Sequence, residues 1–165
     1  MAAEFKTYFQ SAIGLIEVVS NEEAIKALYF IDDETQIEPI NQASEPNILQ
    51  ECLTQLEDYF NGRRTDFALK LEPDGTAFQK AVWRELLNIP YGQTASYLDI
   101  ARLVGNTQAV RAVGAANGQN KISIIIPCHR VIGSNGKLTG YGGGLWRKAW
   151  LLQHEGFLNT QLALL

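Results

Sequence analysis

Cys128 stands in the run Ile126-Pro127-Cys128-His129-Arg130-Val131-Ile132, directly after the apolar stretch Ile122-Ser123-Ile124-Ile125-Ile126. A free thiol ionises near pH ~8.5, so only a few per cent is nucleophilic thiolate at neutral pH. A base that takes the proton, or a cation that stabilises the anion, raises that fraction. His129 and Arg130 offer one of each. The apolar stretch predicts a buried strand that holds the sulfur in a fixed place, as a reacting atom requires. The implied chemistry is attack by sulfur.

Other uses of the thiol follow from the same residues. Two cysteines (Cys52 and Cys128) and two histidines (His129 and His154) are too few, and wrongly spaced, for a zinc site. No metal is expected. A thioredoxin-like redox centre needs a second cysteine two residues away. His154 could be the distant histidine of a papain-like hydrolase. An inert buried thiol is a further reading, since free cysteine is among the most buried residue types.

The elements that must position Cys128 divide the chain in two. Residues 1–75 carry five Lys/Arg against fifteen Asp/Glu, and residues 76–156 carry nine against three. A basic second part inside a chain of net charge -4 points to an anionic partner such as nucleic acid for that part alone. At 165 residues, 46% hydrophobic and 19% charged, the composition is that of a globular protein with one core or two small lobes. Met1 to Lys6 has no signal-peptide character, and no run approaches the ~18 apolar residues of a membrane span. A cytoplasmic location with two free thiols is expected.

In the first part, Glu4 to Gln10, Leu15 to Ser20 and Ala24 to Ile31 read as strands of a β-meander. An acidic loop follows from Asp32 to Ala43. A helix is expected from about Glu45 to Asn61, with Ser44 as cap, Pro46 in its first turn and Gly62 at its end. Cys52 falls on its apolar face and reads as core. Phe67 to Leu71 suggests a further strand.

The boundary is expected at Glu72-Pro73-Asp74-Gly75. Thr76 and Gln79 have the form of a capping box, opening a helix that carries Phe78, Val82, Leu86 and Ile89 and stops at Pro90. Helices are expected from about Ser96 to Val104 and from Thr107 to Ala116, with Gly105-Asn106 at the corner. That is the sequence form of a helix-turn-helix. A glycine-rich stretch, Gly133 to Gly144, precedes a last helix from about Leu145 to His154, closed by Gly156.

Residues 75–156 resemble the O6-alkylguanine-DNA alkyltransferases almost continuously. The resemblance rests on the cysteine motif together with Phe78-Gln79-Lys80-Ala81-Val82-Trp83, Ile89-Pro90-Tyr91-Gly92, Arg111-Ala112-Val113-Gly114, Gly140-Tyr141-Gly142-Gly143-Gly144-Leu145 and Trp150-Leu151-Leu152-Gln153-His154-Glu155-Gly156. Residues 1–75 are similar only in general character. The resemblance implies an α/β N-terminal lobe (antiparallel strands plus one helix, ribonuclease-H-like) packed on a mainly α C-terminal lobe, residues 76–165, with the helix-turn-helix.

It also implies a suicide methyltransferase: Cys128 takes the alkyl group of O6-alkylguanine, less readily of O4-alkylthymine, and is spent. His129 acts through a water, with Glu155 orienting it, and Asn120 braces the turn beside the active strand. For DNA and the flipped base, the resemblance implies Tyr97, Arg111, Ala112, Gly114, Arg130, Val131, Tyr141, Gly142 and Gly143. Arg111 fills the vacated stack and Tyr97 helps to rotate the nucleotide. The expected partner is double-stranded DNA bearing alkylated bases, bound without sequence specificity by a monomer of bacterial, nucleoid-associated type, with no cofactor. Unlike the non-catalytic alkyltransferase-like lesion binders, this chain keeps its cysteine. It departs from common family patterns at Lys121, where a proline often follows the asparagine, at Gly142, where some relatives have serine, and at Ser123, where some have proline. These departures bear on which alkyl groups fit.

Overall fold

In a computed structural model the described residues are 3–40 and 44–157. Residues 41–43 of the expected acidic loop and 158–165 of the expected second lobe lie outside them. The chain divides into two compact units, the first ending at Asp74 and the second beginning at Gly75.

The first unit holds a three-stranded antiparallel meander, β1 Phe5–Ser11, β2 Gly14–Ser20 and β3 Ile25–Ile31, in the order β1-β2-β3. β2 is central, and Ile16, Val18 and Val19 are buried. Helix α1, Asn47–Phe60, brings Leu49, Cys52 and Leu56 into the same core. Burial pushes the Cys52 thiol up to about 12, so this sulfur is a packing group. The cap of α1 is Pro46, not Ser44; proline already has the fixed φ that opens a helix and lacks the amide that would go unpaired. Phe67 to Leu71 does not form a strand. Only Leu71 bridges β3, where Ile25 donates to Lys70 C=O at 2.9 Å and accepts from Glu72 N–H at 2.8 Å.

The second unit is helical. Helix α2, Ala77–Leu86, opens on the full capping box between Thr76 and Gln79. Its buried face is Val82, Trp83 and Leu86, while Phe78 remains exposed. Trp83 Nε1 donates to Ala116 C=O at 2.9 Å. A short strand, β4 Ala95–Ser96, leads into α3, Tyr97–Leu103, which is capped by a second box between Ser96 and Asp99. Gly105 turns the corner at φ +86°. Helix α4 runs Val110–Gly118, three residues later than expected. Asn106 caps a separate turn instead, accepting from Gln108 N–H through its side chain at 3.0 Å and from Ala109 N–H through its carbonyl at 3.0 Å.

Strand β5, Val131–Ile132, pairs in parallel with β4, Val131 opposite Ala95 and Ile132 opposite Ser96. This two-stranded ribbon ties the start of α3 to the residues just after Cys128. Helix α5, Leu145–His154, closes the unit. Among the described residues no helix is long and apolar enough to cross a membrane.

Candidate active site

Cys128 begins a short 3-10 turn, Cys128–Arg130. The apolar run before it is not the expected strand. Ile125 N–H donates to Ser123 C=O at 2.8 Å and Ile126 N–H to Ile122 C=O at 3.0 Å, so the chain doubles back in a buried turn. A short run that is apolar on every side has no alternation and fits either form, provided its backbone groups are satisfied. Asn120 satisfies them: its Nδ2 donates to Ile126 C=O at 2.8 Å and Ile122 C=O at 3.4 Å, and its Oδ1 accepts from Ile122 N–H at 3.0 Å. The turn forces Ile124 to φ +71°. A β-branched residue there costs about 1–3 kcal/mol. Burial of Ile122, Ile124 and Ile126, with the Asn120 bonds, offsets it.

Behind the turn lies a buried charge cluster. His129 Nε2 sits 2.8 Å from Glu155 Oε2, and both side chains are fully buried. Glu155 is the residue that ends α5. The tight turn at Gly92 packs against it: Gly92 has φ +78°, and a Cβ there would lie 2.9 Å from the Glu155 carbonyl oxygen. Arg130 completes the cluster. Its Nε donates to Glu155 Oε1 at 2.8 Å, Nη2 to Oε2 at 3.1 Å and Nη1 to Ile89 C=O at 2.7 Å. Arg130 is 7% exposed. This corrects its expected place among the DNA-binding residues: the guanidinium is engaged inside the protein, where a phosphate does not reach it.

Burial would raise the Glu155 carboxyl, but its hydrogen bonds to His129 and Arg130 and the Arg130 charge outweigh it and hold the group well below the usual carboxylate range. Burial pushes His129 below its ordinary value, only partly opposed by Glu155. The imidazole is therefore neutral at pH 7. With a carboxylate on Nε2, the proton belongs on that nitrogen and Nδ1 is left as an acceptor. Nδ1 is buried and has no partner among the described residues, which makes it a base without a proton.

Burial also pushes the Cys128 thiol up; an Asn120 side-chain bond and the charge of Lys148 pull it back only in part. The sulfur, on a residue 5% exposed, is thus held towards the thiol in the free protein. It lies on a recess enclosing about 300 Å³ of empty space, part of it open solvent, walled by Asn117, Gly118, Asn120, Ser123, Gly140, Tyr141 and Gly142. Burial, and then the Cys128 charge, lifts the Tyr141 phenol well above its ordinary value.

Of the remaining expected residues, Tyr97, Arg111, Ala112 and Gly114 lie on α3 and α4, while Val131 and Gly143 are not among the walls of the recess. Tyr97 opens α3; its hydroxyl donates to Thr139 C=O at 3.0 Å and accepts from Thr139 Oγ1 at 3.2 Å. Gly114, on α4, faces the Tyr97 ring, which a Cβ would meet at an ordinary 3.9 Å. Arg111 and Ala112 are exposed on the first turn of α4. Val131 is buried in β5, and Gly143 C=O accepts from Arg147 Nη1 at 3.1 Å.

Two residues escaped the sequence reading. Lys148 is fully buried. Its Nζ donates to Thr139 C=O at 2.9 Å and Gly140 C=O at 3.2 Å and lies 6.0 Å from the Tyr97 ring centroid. Burial pulls it down to about 8, opposed by the Cys128 charge. Its spacing from Leu151 and Leu152, one helical turn on, was the available signal. Asn117 on α4 is the other; nothing in its local sequence marks it.

A buried thiol, a neutral histidine held by a carboxylate, and a recess beside the sulfur define a site built around one cysteine nucleophile. Comparison with known proteins names the family. Residues 77–157 match the 6-O-methylguanine DNA methyltransferase DNA binding domain, and residues 5–73 match the ribonuclease-like domain of the same proteins. The chain is 49% identical over 149 residues to the methylated-DNA--protein-cysteine methyltransferase of Methanosarcina acetivorans, covering 90% of this chain and 96% of that one. It is 46% identical over 145 residues to that of Mycobacterium leprae, covering 88% of each. Among solved structures, Mycobacterium tuberculosis O6-methylguanine methyltransferase superposes with a TM-score of 0.82 at 40% identity, over 98% of this chain and 99% of that one. The Mycobacterium tuberculosis OGT in complex with DNA gives 0.81 at 43% identity, over 92% of each. The chain belongs to the 6-O-methylguanine DNA methyltransferase family.

Proposed function

We propose that this protein repairs DNA by direct reversal, moving the alkyl group of O6-alkylguanine, and less readily that of O4-alkylthymine, onto Cys128. The observation that carries the reading is the neutral His129, held by Glu155, on the residue next to the nucleophile. The thiol proton passes through a water to His129 Nδ1. The sulfur attacks the alkyl carbon; the S–C bond forms as the C–O6 bond breaks, and the electron pair goes to O6 and the purine ring. Guanine leaves as an anion that takes up a proton. The thioether left on Cys128 has no activated leaving group, so each molecule acts once.

A base inside a duplex is out of reach, so the nucleotide is flipped out at a cost of a few kcal/mol. Arg111, exposed on α4 beside Ala112, fills the gap in the stack. Tyr97 turns the nucleotide and exchanges Thr139 for the purine as its hydrogen-bond partner. Gly114 gives the helix a close approach. Asn120 holds the turn under the sulfur. Val131, Tyr141, Gly142 and Gly143 line the base site, with Gly142 offering a backbone N–H where a side chain could stand. Residues 76–165 form the domain that binds DNA, and residues 1–75 the ribonuclease-H-like lobe. Phosphate contacts position the duplex without reading its sequence, and affinity falls with salt. The protein works as a monomer, without cofactor, in the cytoplasm beside the nucleoid.

The test is intact-mass analysis after mixing with a duplex bearing a single O6-methylguanine. The expected result is one methyl gained per chain and none in Cys128→Ala. Wild-type protein that remains unmodified while bound to the duplex overturns the reading.

A further inference from the structure

Trp146, in the first turn of α5, is 55% exposed, more than any other aromatic side chain among the described residues. An exposed indole leaves a large apolar surface in water. The ring is nevertheless held in place. The Arg147 guanidinium lies over it, 4.6 Å from the ring centroid. Arg147 is itself buried, and its Nη1 donates to Gly143 C=O at 3.1 Å. Gly144 meets the edge of the indole: at φ +93°, a Cβ there would lie 3.2 Å from Trp146 Cδ1 and 3.3 Å from Nε1. Only glycine suits both that backbone and that contact. A cation on one face and the loop at one edge leave the opposite face open to solvent.

The loop that pins the ring also walls the recess. Gly144 N–H donates to Tyr141 C=O at 2.9 Å, and Tyr141 and Gly142 line the recess at Cys128. The open face of Trp146 therefore continues the site of the reaction. Its surroundings suit an anionic partner. The first turn of α5 has no acidic residue, and residues 76–156 carry nine Lys/Arg against three Asp/Glu. A flat ring backed by a guanidinium matches a nucleobase, which has a π-face and belongs to a polyanion. In a duplex those faces are covered by the neighbouring pairs. In a single strand they are free to stack on an aromatic side chain.

We propose that Trp146 is a stacking platform for an unpaired base of the lesion-bearing strand, through which the protein holds single-stranded DNA at the Cys128 recess. The inference rests on the repair reading above. It gives the protein a grip on damage where no duplex is present for α4 and Arg111 to enter.

The experiment has two readouts. The first is tryptophan fluorescence during titration with an undamaged oligothymidylate of about twelve nucleotides. Trp83 is buried and Trp150 stacks on His154 with ring centroids 4.9 Å apart, so a base that stacks on Trp146 is read as quenching of the exposed indole. Quenching is expected in the wild type and not in Trp146→Phe. The second is the second-order rate of methyl transfer from O6-methylguanine, placed in a single strand and in a duplex. Trp146→Leu, apolar but without a ring, is expected to lower the single-strand rate about tenfold and the ratio of single-strand to duplex rates by about fivefold or more, the scale of one base on one aromatic side chain. Trp146→Phe keeps a ring and is expected to stay within about threefold of the wild type. An unchanged ratio in the leucine variant overturns the inference, as does a phenylalanine variant that loses as much as leucine. Equal losses on the single strand, the duplex and free O6-methylguanine also overturn it and leave the repair reading intact, since Trp146 then only supports the loop. A wild type that takes no methyl from either DNA overturns the repair reading, and the inference with it.

Discussion

His129 Nε2 and Glu155 Oε2 lie 2.8 Å apart, with both side chains closed to solvent, although one residue belongs to the cysteine turn and the other ends α5. This contact brings a base to the nucleophile and joins the last helix to the turn it serves. Arg130 shares the same carboxylate, so Glu155 both orients the imidazole and neutralises a buried guanidinium. Such a carboxylate serves stability and chemistry together.

Replacing Glu155 by Gln is therefore expected to leave Arg130 buried without a counter-charge, at a cost of about 3–5 kcal/mol. Urea unfolding measures the loss. Methyl transfer should slow by about 100-fold or more, because a neutral amide, which can turn its NH2 to Nε2, no longer sets the tautomer. A variant as stable as the wild type would show that the cluster is not the anchor of the turn.

Acid should weaken the fold in two stages. His129 is held below its ordinary value of 6.5, so as pH falls through that value the unfolded chain takes up a proton that the native chain refuses. Glu155 is held below 4.5 and adds a second loss beneath that value. Both native values are depressed, so stability is full above about pH 6.5 and declines with acidification. Urea midpoints measured from about pH 8 to pH 4 should follow this course, and His129→Gln should lack the upper stage.

Lys148 places a positive charge against the Cys128 sulfur and ties the Thr139–Gly140 backbone to α5. Lys148→Met is expected to move the pH profile of Cys128 alkylation by iodoacetamide to higher pH. Methyl transfer at pH 7 should slow by about tenfold, the size of one partly screened charge interaction. An unshifted alkylation profile with slower transfer would assign Lys148 to holding the loop alone.

Arg111→Ala should separate flipping from chemistry. The side chain is exposed on α4, so its loss should leave stability within about 0.5 kcal/mol. Repair of a duplex should slow by about 10- to 100-fold, the free-energy scale of extruding a base. Reaction with free O6-methylguanine should change by less than twofold. Matching losses on both substrates would remove Arg111 from the flipping step.

Much of the frame around the site is legible in the chain itself. The boxes at Thr76–Gln79 and Ser96–Asp99 and the corner at Gly105 depend on residues within a few positions of one another, so local spacing suffices to place them, though only the first was read as a box. The run before Cys128 was not legible. Its residues are apolar whichever way the chain goes, and the choice between strand and turn falls to the three bonds of Asn120. Arg130 was expected to serve Cys128 and the DNA; its carboxylate partner, Glu155, stands 25 residues away.

By itself the sequence determined that a cysteine beside a histidine follows a buried run, that the second half is basic, and where most helices begin and end. Those are properties of composition and near-neighbour spacing, which survive in an unfolded chain. Only the tertiary structure decided which groups are charged, which are satisfied and which remain unpaired: Glu155 ionised between Arg130 and a neutral His129, Lys148 sealed in α5, the oxygen of Asn117 left over. Each depends on desolvation and on partners brought from distant elements, and neither exists until the chain has closed around the sulfur.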